Sequence, residues 1–302
     1  ELKHYYQGMF FFHSQVIRQN PPLYIELDKI YRQDDETFIS ILNNLRNNKI
    51  TKENIEVLNQ YVQPDFNIKN HNGCIIVTTH NSKADEINKE ALAELKTKTF
   101  SYFPELVEDF PEKIYPIEPK MDLKVGAQVM FIKNDTSFEK NYFNGKIGTI
   151  ISLAEKEISV YFPEENKTVE VDLYTWENIK YTVNPVTKEI EETVVGTFSH
   201  YPLKLAWAIT VHKSQGLTFD NAALDVSRVF APGQAYVALS RLRSLKGLIL
   251  LSPIQLNGIS SDTEVLNYAN NKADETILEK SLALETKHFL RLELCKSFDF
   301  RQ

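Results

Sequence analysis

The side chains best able to hold an anion lie in one short polar turn, which follows an apolar run in the segment AWAITVHKSQGLTFD, residues 206–220. Hydroxyl groups, an ammonium group and a glycine suit a phosphate, because they supply donors at short range and leave out the Cβ where a backbone must approach. The same composition also suits an ordinary polar loop with a capping serine. The candidate residues are Thr210, His212, Lys213, Ser214, Gln215 and Gly216.

Arginines elsewhere in the chain could reach the same phosphate. Arg241 and Arg243 follow a predicted short helix, and Arg32 follows a predicted strand in IYRQDD. An arginine aimed at a phosphate stabilises the charge that develops during phosphoryl transfer. The plainer alternatives are compensation of a helix dipole for the first two, and a salt bridge to Asp34 or Asp35 for the third.

The apolar run before the polar turn determines how the turn is presented. Apolar residues alternate along residues 203–211, which favours a strand, although the spacing of Leu205, Ala208 and Ile209 also fits one face of a helix. In either case the polar turn ends an apolar element. Because ligands of α/β sheets bind beyond the ends of buried strands, this position favours a binding role.

A second strand, loop and helix can be read in GCIIVTTHNSKADEINKEALAELKT. Cys74 to Val77 is a short apolar run that indicates a strand buried on both faces. Residues 78–81 form a polar loop, and Ser82 with Asp85 matches a capping pattern that predicts a helix through Leu95. AALDV and GLILL predict two more buried strands, with a helix between them that begins near Pro232.

The remaining elements surround a β-rich region. Residues 36–62 predict two helices, the second beginning at Thr51, and residues 23–27 alternate as in a short strand. Residues 101–120 are rich in proline and acid and indicate an extended connector. The strands that follow, with a turn at Asn144–Gly145, predict a small barrel or meander. The tail from Asp262 predicts helices packed on the core.

Composition fits a soluble globular chain of 302 residues, of which 42% are hydrophobic and 25% charged, with a formal charge of −7. No apolar run is long enough to span a bilayer. The two cysteines, Cys74 and Cys295, have no metal-ligand spacing and indicate reduced thiols. Residues 201–250 are locally basic, which suits a phosphate-binding surface or a solvated face. Because the chain begins with Glu1, we expect a fragment or a processed product.

Five segments occur in a specific order: YRQDDETF, VTTHNSKADEIN, LKVGAQVMFIKND…NGKIG, PLKLAWAITVHKSQGLTFD and QAYVALSRLRSLKGL. This order resembles the C-terminal half of superfamily-1 DNA helicases of the RecD-like branch, above all the petite-integration-frequency (Pif-type) family, from about Leu23 to Leu251. The most specific parts of the resemblance are TVHKSQG at residues 210–216, which is similar to the family motif THKSQG, and YVALSR at residues 236–241. The resemblance implies an α/β, RecA-like second motor domain with a parallel sheet, interrupted by a small all-β barrel insertion and followed by a helical C-terminal extension.

The resemblance also implies roles for the candidate residues. Arg32 and Arg241 match the arginines of motifs IV and VI, which in the family reach the γ-phosphate of ATP bound on the other RecA-like domain, and these are the catalytic candidates. Gln215 and Gly216 lie on the nucleotide side. The residues on the single-stranded DNA side are Thr78, Thr79, His80, Asn81, Thr210, His212, Lys213 and Ser214.

One family motif is not found in these 302 residues, namely the phosphate loop G-x-x-x-x-G-K-[ST]. The resemblance therefore implies an ATP-dependent helicase, 5′-to-3′, whose ATP and Mg²⁺ are held mainly by an N-terminal RecA-like domain outside this sequence, and this chain alone is expected not to hydrolyse ATP. The alternative is a non-catalytic DNA-binding or scaffold subunit derived from a helicase. A protein-interaction role for the β insertion also stays open.

These expectations divide the chain into five parts. Residues 1–22 would be a remnant or linker from the first motor domain, 23–143 and 201–260 the two parts of the RecA-like domain, 144–200 the small barrel, and 261–302 the helical extension. The expected partners are single-stranded DNA, DNA forks and the N-terminal RecA-like domain. We expect a monomer without a membrane association, in the bacterial cytoplasm or at the nucleoid.

Overall fold

The computed structural model describes residues 5–6, 8–27, 29–71, 73–185, 187–226, 233–255 and 262–298. The chain divides into two compact units, one spanning residues 32–260 and one that combines the residues on either side of that span. Pro232, near which the sequence predicts the start of a helix, lies outside the described residues. Within the described residues, no helix has the length and apolar character that are needed to cross a membrane.

Two helices of the described residues begin at side chains that cap their first turn. Asp35 caps α2 by accepting from the backbone N–H of Phe38, and Thr51 forms a capping box with Asn54 at the predicted start of the second helix, α3. The α-helices are α1 (Gln15–Gln19), α2 (Glu36–Arg46), α3 (Lys52–Asn59), α4 (Asn81–Glu94), α5 (Gln234–Leu239), α6 (Thr263–Ala269) and α7 (Glu275–Ser297).

The strands are short where they are buried and longer in the β-rich region. In chain order they are β1 (Ile75–Thr78), β2 (Thr99–Tyr102), β3 (Glu105–Glu108), β4 (Met121–Lys124), β5 (Gln128–Phe131), β6 (Ile147–Leu153), β7 (Ile158–Phe162), β8 (Lys167–Glu170), β9 (Tyr174–Val183), β10 (Ile190–His200), β11 (Leu203–Leu205), β12 (Ala208–Thr210), β13 (Ala222–Asp225) and β14 (Leu248–Leu250).

A parallel four-stranded sheet in the order β12-β1-β13-β14 forms the centre of the larger unit. Both of its faces are covered, because Ile75 and Val77 pack in one apolar cluster while Ile76 packs in another. Helices α2, α3 and α5 contribute to the first cluster, and α4 with the β-rich region contributes to the second. The apolar run at Cys74–Val77 therefore reads as predicted, as a strand buried on both faces.

The segment that precedes the polar turn forms two strands that belong to different sheets. Residues Leu203–Leu205 pair antiparallel with β5, whereas Ala208–Thr210 pair parallel with β1. The strand interpretation of residues 203–211 is thus confirmed over the helical one. Because β11 leads directly into β12, this segment connects the β-rich region to the central sheet.

The predicted closed barrel is not found among the described residues. The β-rich region forms an open five-stranded sheet, β11-β5-β6-β7-β8, a three-stranded sheet, β3-β10-β9, and the pair β2-β4. The first and last strands of the five-stranded sheet, β11 and β8, pair with one neighbour each. The hairpin of β9 and β10 pairs separately, so its strands do not close the five-stranded sheet. The boundary at residue 144 stays a prediction.

Three local predictions are wrong. The alternating residues 23–27 form no strand, and Leu23, Ile25 and Leu27 are exposed. Strands β2 and β3 occupy part of the predicted connector at residues 101–120. Helix α4 begins at Asn81 after the N-cap residue His80, so Ser82 lies inside the first turn and does not cap it.

The smaller unit contains the two ends of the chain. The rings of Phe12 and Tyr24 both stack against the ring of Tyr268, at centroid distances of 4.5 and 5.9 Å. Lys272 forms an ion pair with Glu26. The tail is helical as predicted, and none of the described residues of α6 and α7 is buried.

Candidate functional site

Two of the predicted loops meet at the carboxyl edge of the central sheet. Thr78 is the last residue of β1, and Thr210 is the last residue of β12; the two are register partners. The backbone N–H of Val211 donates to the carbonyl of Thr78 at 2.8 Å, so the two loops leave the sheet side by side. The two loops are 132 residues apart in the sequence, and the parallel pairing of β1 with β12 brings them together.

The polar turn at residues 211–216 is held from the inside by its serine. The hydroxyl of Ser214 is fully buried and donates to the carbonyl of Val211 at 2.7 Å, while its backbone N–H donates to the carbonyl of Thr210 at 2.9 Å. These bonds leave the side chains of His212, Lys213 and Gln215 exposed. The turn therefore presents a cation and two further polar side chains on a fixed backbone.

Gly216 closes the polar turn in the left-handed region, with a φ of +86°. Nothing lies within 4 Å of the position that a Cβ would occupy. Glycine is therefore favoured here by the backbone conformation and not by crowding within the chain. The open space above Gly216 is compatible with close approach of a ligand.

Burial divides the candidate residues into two groups. Thr78, Thr210 and Ser214 are 0%, 3% and 0% exposed, so their hydroxyl groups cannot meet a ligand in this conformation. We therefore revise their predicted role from contact to support of the two loops. Thr79 is half-buried, and the residues that reach solvent are His80, Asn81, His212, Lys213, Gln215 and Gly216.

The loop after β1 ends at the N-terminus of α4, whose free backbone N–H groups favour an anion. His80 is the N-cap residue but makes no side-chain capping bond; its Nδ1 lies 2.9 Å from the hydroxyl oxygen of Thr79. Lys83, in the first turn, forms an ion pair with Asp225 at the end of β13. Asp225 also accepts from the hydroxyl of Thr78 at 3.4 Å, so it ties two strand ends to the helix.

Arg32 and Arg241 come together around Ser240. Arg32 donates through Nη1 to the carbonyl of Ser240 at 2.8 Å and through Nε to the hydroxyl oxygen of Thr218 at 2.9 Å. Arg241 donates through Nη2 to the hydroxyl oxygen of Ser240 at 2.9 Å and through Nε to the carbonyl of Val237 at 2.9 Å. Both guanidinium groups are therefore oriented by neutral acceptors.

The charge of this arginine pair is not neutralised within the described part of the chain. No carboxylate lies within ion-pair distance of either side chain there, and the predicted alternative of a salt bridge from Arg32 to Asp34 or Asp35 is not seen. Burial, followed by the charge of Arg32, lowers the pKa of Arg241. Two like charges held close together without an acid form a surface that favours a polyanion.

Arg243 differs from these two arginines. Its guanidinium forms an ion pair with Asp220 at 2.9 Å, and both side chains are more than half exposed. This arrangement corresponds to the plainer interpretation, a surface arginine with a local partner.

Sequence reasoning missed several residues that orient the site. Gln33 donates to the carbonyls of Ser240 and Leu242 at 3.1 and 2.8 Å, and Thr218 accepts from Arg32. Thr218 follows the polar turn by two positions, which is the only signal that could have singled it out. Asp225 carried no signal, because its partners on α4 lie 142 positions away.

Comparison with known proteins gives a consistent set of relatives, although no protein-family model matches the chain. The ATP-dependent DNA helicase Pif1 of Bdellovibrio bacteriovorus is 33% identical over 226 residues, which cover 73% of this chain and 48% of that relative. A crystal structure of Bacteroides sp. Pif1 in complex with ADP-AlF4 is similar with a TM-score of 0.79 and 35% identity. Bacteroides Pif1 bound to single-stranded DNA gives a TM-score of 0.63 and 36% identity.

Coverage is unequal between this chain and its relatives. Each of the two Bacteroides structures matches 89% of this chain, which in turn matches 61% of their chains. The chain spans about half the length of the bacterial relative from Bdellovibrio. The similarity therefore extends over most of this chain but over only part of each of these relatives.

Proposed function

We propose that this chain, which belongs to the Pif1-type DNA helicases, supplies the second, C-terminal motor half of an ATP-dependent DNA helicase. In this proposal it grips single-stranded DNA and contributes one wall of an ATP site whose other wall comes from an N-terminal RecA-like domain outside this sequence. The name of the Bdellovibrio relative and the share of it that the chain spans support both parts.

The arginine pair is the observation that carries the proposal. Arg32 and Arg241 lie together, partly buried, with neutral acceptors and without a described carboxylate partner. This arrangement fits the γ-phosphate of ATP, since bidentate or paired guanidinium groups stabilise charge on a transferring phosphoryl group. A related Bacteroides structure is a complex with ADP-AlF4, which supports nucleotide binding by the intact protein.

The DNA side of the proposal rests on the two loops at the carboxyl edge of the sheet. His80, Asn81, His212 and Lys213 are exposed there, beside the N-terminus of α4. A cation and helix N–H groups bind phosphates without regard to base sequence, as a motor that moves along DNA requires. The Bacteroides structure with single-stranded DNA supports this assignment. Forked DNA and 5′-to-3′ movement are expected from the resemblance.

ATP and Mg²⁺ enter this proposal through the other domain. The 302 residues contain no phosphate-loop motif, so the phosphate cradle and the magnesium ligands would come from the first RecA-like domain. When bound, ATP supplies the phosphoryl group whose transfer to water drives movement. The residues of this chain orient the two arginines, because Thr218 and Ser240 accept their hydrogen bonds. Gln215 and Gly216 link the DNA-side residues of the polar turn to Thr218 along the chain.

The two sides are joined by a short stretch of backbone. Ser214 anchors the polar turn, and Leu217 donates its N–H to the carbonyl of Ser214 at 3.0 Å. The next residue, Thr218, accepts from Arg32, and Phe219 donates its N–H to the carbonyl of Arg241 at 2.9 Å. We infer that a shift of the turn on DNA would move the residues that hold both arginines.

The deciding experiment measures ATP hydrolysis, with and without single-stranded DNA, by the full-length protein that contains this chain. We expect DNA to stimulate turnover, and we expect the 302 residues alone to bind DNA without turnover. DNA binding without ATP hydrolysis by the full-length protein would instead support the scaffold subunit. The monomeric state and the cytoplasmic or nucleoid location are further expectations, which rest on the resemblance.

A further inference from the structure

A turn of the β-rich region lies against the residue that follows the polar turn. Gly145, between β5 and β6, has a φ of +98°, and a Cβ built on it would lie 2.8 Å from Cδ2 of Leu217. Side-chain atoms do not approach one another so closely without displacement. Because Leu217 is itself buried, at 4% exposure, it has little room to move away. The contact thus sets the spacing between this turn and the segment of residues 217–219.

The turn that carries Gly145 is braced from its own side. The backbone N–H of Gly145 donates to the carbonyl of Phe131 at 2.8 Å, and that of Asn144 donates to the side-chain oxygen of Asn134 at 2.9 Å. Lys146 is only 11% exposed, forms an ion pair with Glu165, and lies over the ring of Phe162. These contacts tie Gly145 rigidly to β5, β6 and the open five-stranded sheet.

The segment on the other side of the contact is tied to both arginines. Thr218 accepts from Arg32, and the backbone N–H of Phe219 donates to the carbonyl of Arg241 at 2.9 Å. The carbonyl of Leu217 lies 3.5 Å from Nη1 of Arg241. A displacement of Leu217 would therefore move a hydrogen-bond acceptor of each arginine: its own carbonyl, which faces Arg241, and the hydroxyl of the next residue, Thr218, which accepts from Arg32.

We propose that Gly145 is a positioning residue for the arginine pair: by packing on Leu217 it holds Thr218 and the Arg241 backbone where the two guanidinium groups converge. This inference rests on the proposed function, because it assigns the β-rich region a part in ATP turnover. It requires glycine at this position for two reasons, the left-handed backbone and the absence of space for a Cβ. The sheets of this region would then influence ATP turnover without touching the nucleotide.

The test compares Gly145→Ala with Gly126→Ala in the full-length protein. Gly126 has a φ of +92° and lies in the turn before β5, but a Cβ there would meet Leu95 at an ordinary 3.5 Å. Both variants therefore carry similar backbone strain, and only the first carries the clash. Because misplacement by about 1 Å can cost about 100-fold in rate, we expect Gly145→Ala to lower kcat for DNA-stimulated ATP hydrolysis at least about tenfold. KM for ATP and Kd for single-stranded DNA should stay near wild type, as should all constants of Gly126→Ala.

A second substitution distinguishes positioning from general damage. Leu217→Val removes the atom nearest to the built Cβ, so on its own it should loosen the contact and lower kcat. Combined with Gly145→Ala it should restore kcat, because the added methyl group then fills the space. Leu217→Val also serves if Gly145→Ala does not fold. Wild-type kcat in both single variants, or a loss that the double variant does not reverse, would overturn the inference.

Failure of the proposed function would look different. A wild-type protein without ATP turnover would refute that function, and the arrangement of the arginines would then be followed directly. The Nε–H resonances of Arg32 and Arg241, which bond to Thr218 and Val237, should shift in Gly145→Ala and return in the double variant. Unchanged resonances in Gly145→Ala would refute the positioning role on its own.

Discussion

Arg32 and Arg241 bond to the same residue, Ser240, through different atoms. Arg32 donates to its carbonyl oxygen, and Arg241 donates to its hydroxyl oxygen. Ser240 therefore fixes the separation of two cations that would otherwise repel each other, and its 5% exposure keeps water from replacing either bond. Holding the two like charges together has an electrostatic cost in the free protein, which a bound anion would relieve.

Replacement of Arg241 by Ala should separate ATP turnover from DNA binding in the full-length protein. The loss of a group that stabilises developing charge lowers kcat by about 10²- to 10³-fold. DNA affinity should persist, because the side chain of Arg241 bonds to Val237 and Ser240 and to none of the exposed side chains in the loops at residues 79–83 and 211–216. Steady-state ATP hydrolysis and fluorescence anisotropy with a labelled single strand provide the two measurements.

The matched control for this prediction is Arg243→Ala. Arg243 lies two positions further along the chain but is exposed and paired with Asp220. Its removal should change ATP turnover by less than about twofold, since exposed pairs contribute little. Equal losses of turnover in the two variants would mean that the arginine pair has no special role.

Replacement of Lys213 by Ala should weaken DNA binding and make it less sensitive to salt. The exposed ammonium group releases about one counterion when it meets a phosphate, so the slope of log K against log salt should fall by about 1. Lys120→Ala is the control, because Lys120 is also exposed but already pairs with Asp122 of β4. An unchanged slope in Lys213→Ala would remove this residue from the DNA surface.

Local patterns predicted what depends on neighbouring residues. The apolar run at Cys74–Val77 and the capping pair of Thr51 and Asn54 were readable, because burial on both faces and capping each leave a signature within a few positions. The bonds from Arg32 to Thr218 and Ser240 were not, because they join positions 186 and 208 apart. For the same reason, periodicity located the β strands but did not determine whether their sheet closes.

Burial also could not be read from residue type. Ser214 and Thr210 were expected on the DNA side, which requires exposure, yet both are buried: the Ser214 hydroxyl donates to the carbonyl of Val211, and the Thr210 carbonyl accepts from the N–H of Ser214. His212 and Lys213, of similar polarity, remain in solvent. The distinction depends on which hydrogen bonds the folded turn makes, and residue type alone does not specify them.

Replacement of Gln128 by Leu should destabilise the 302-residue chain. The side-chain amide of this buried residue accepts from the N–H of Gly73 and donates to the carbonyls of Cys74 and Ala206. Leucine would leave these three backbone groups without partners, at about 1–3 kcal/mol for each group that stays buried. Urea unfolding should show a lower midpoint for Gln128→Leu, and an unchanged midpoint would contradict the role of this amide in joining β5 to the central sheet.

Exposure supplies the control for the Gln128 experiment. Gln60, at the end of α3, is exposed, so Gln60→Leu should shift the free energy of unfolding by less than about 0.5 kcal/mol. A similar loss in both variants would indicate a general effect of leucine, and not the loss of the three buried bonds.

Stability should fall in mild acid because of His200. The ring is fully buried beside Phe198 and Tyr201, and within the described residues neither ring nitrogen makes a hydrogen bond of normal geometry. Burial lowers the pKa of His200 below 6.5, and this outweighs the backbone groups of Tyr102, Pro119 and Tyr201, which raise it. The unfolded chain therefore binds a proton at a higher pH than the folded chain, so the free energy of unfolding should decrease as pH falls below about 6.5, until the folded pKa is reached.

Urea unfolding of wild type and His200→Phe at several values between pH 7.5 and 5 isolates this contribution as the difference between the two proteins. That difference should shift in favour of His200→Phe as pH falls, and a difference independent of pH would show that His200 does not titrate between the folded and unfolded states.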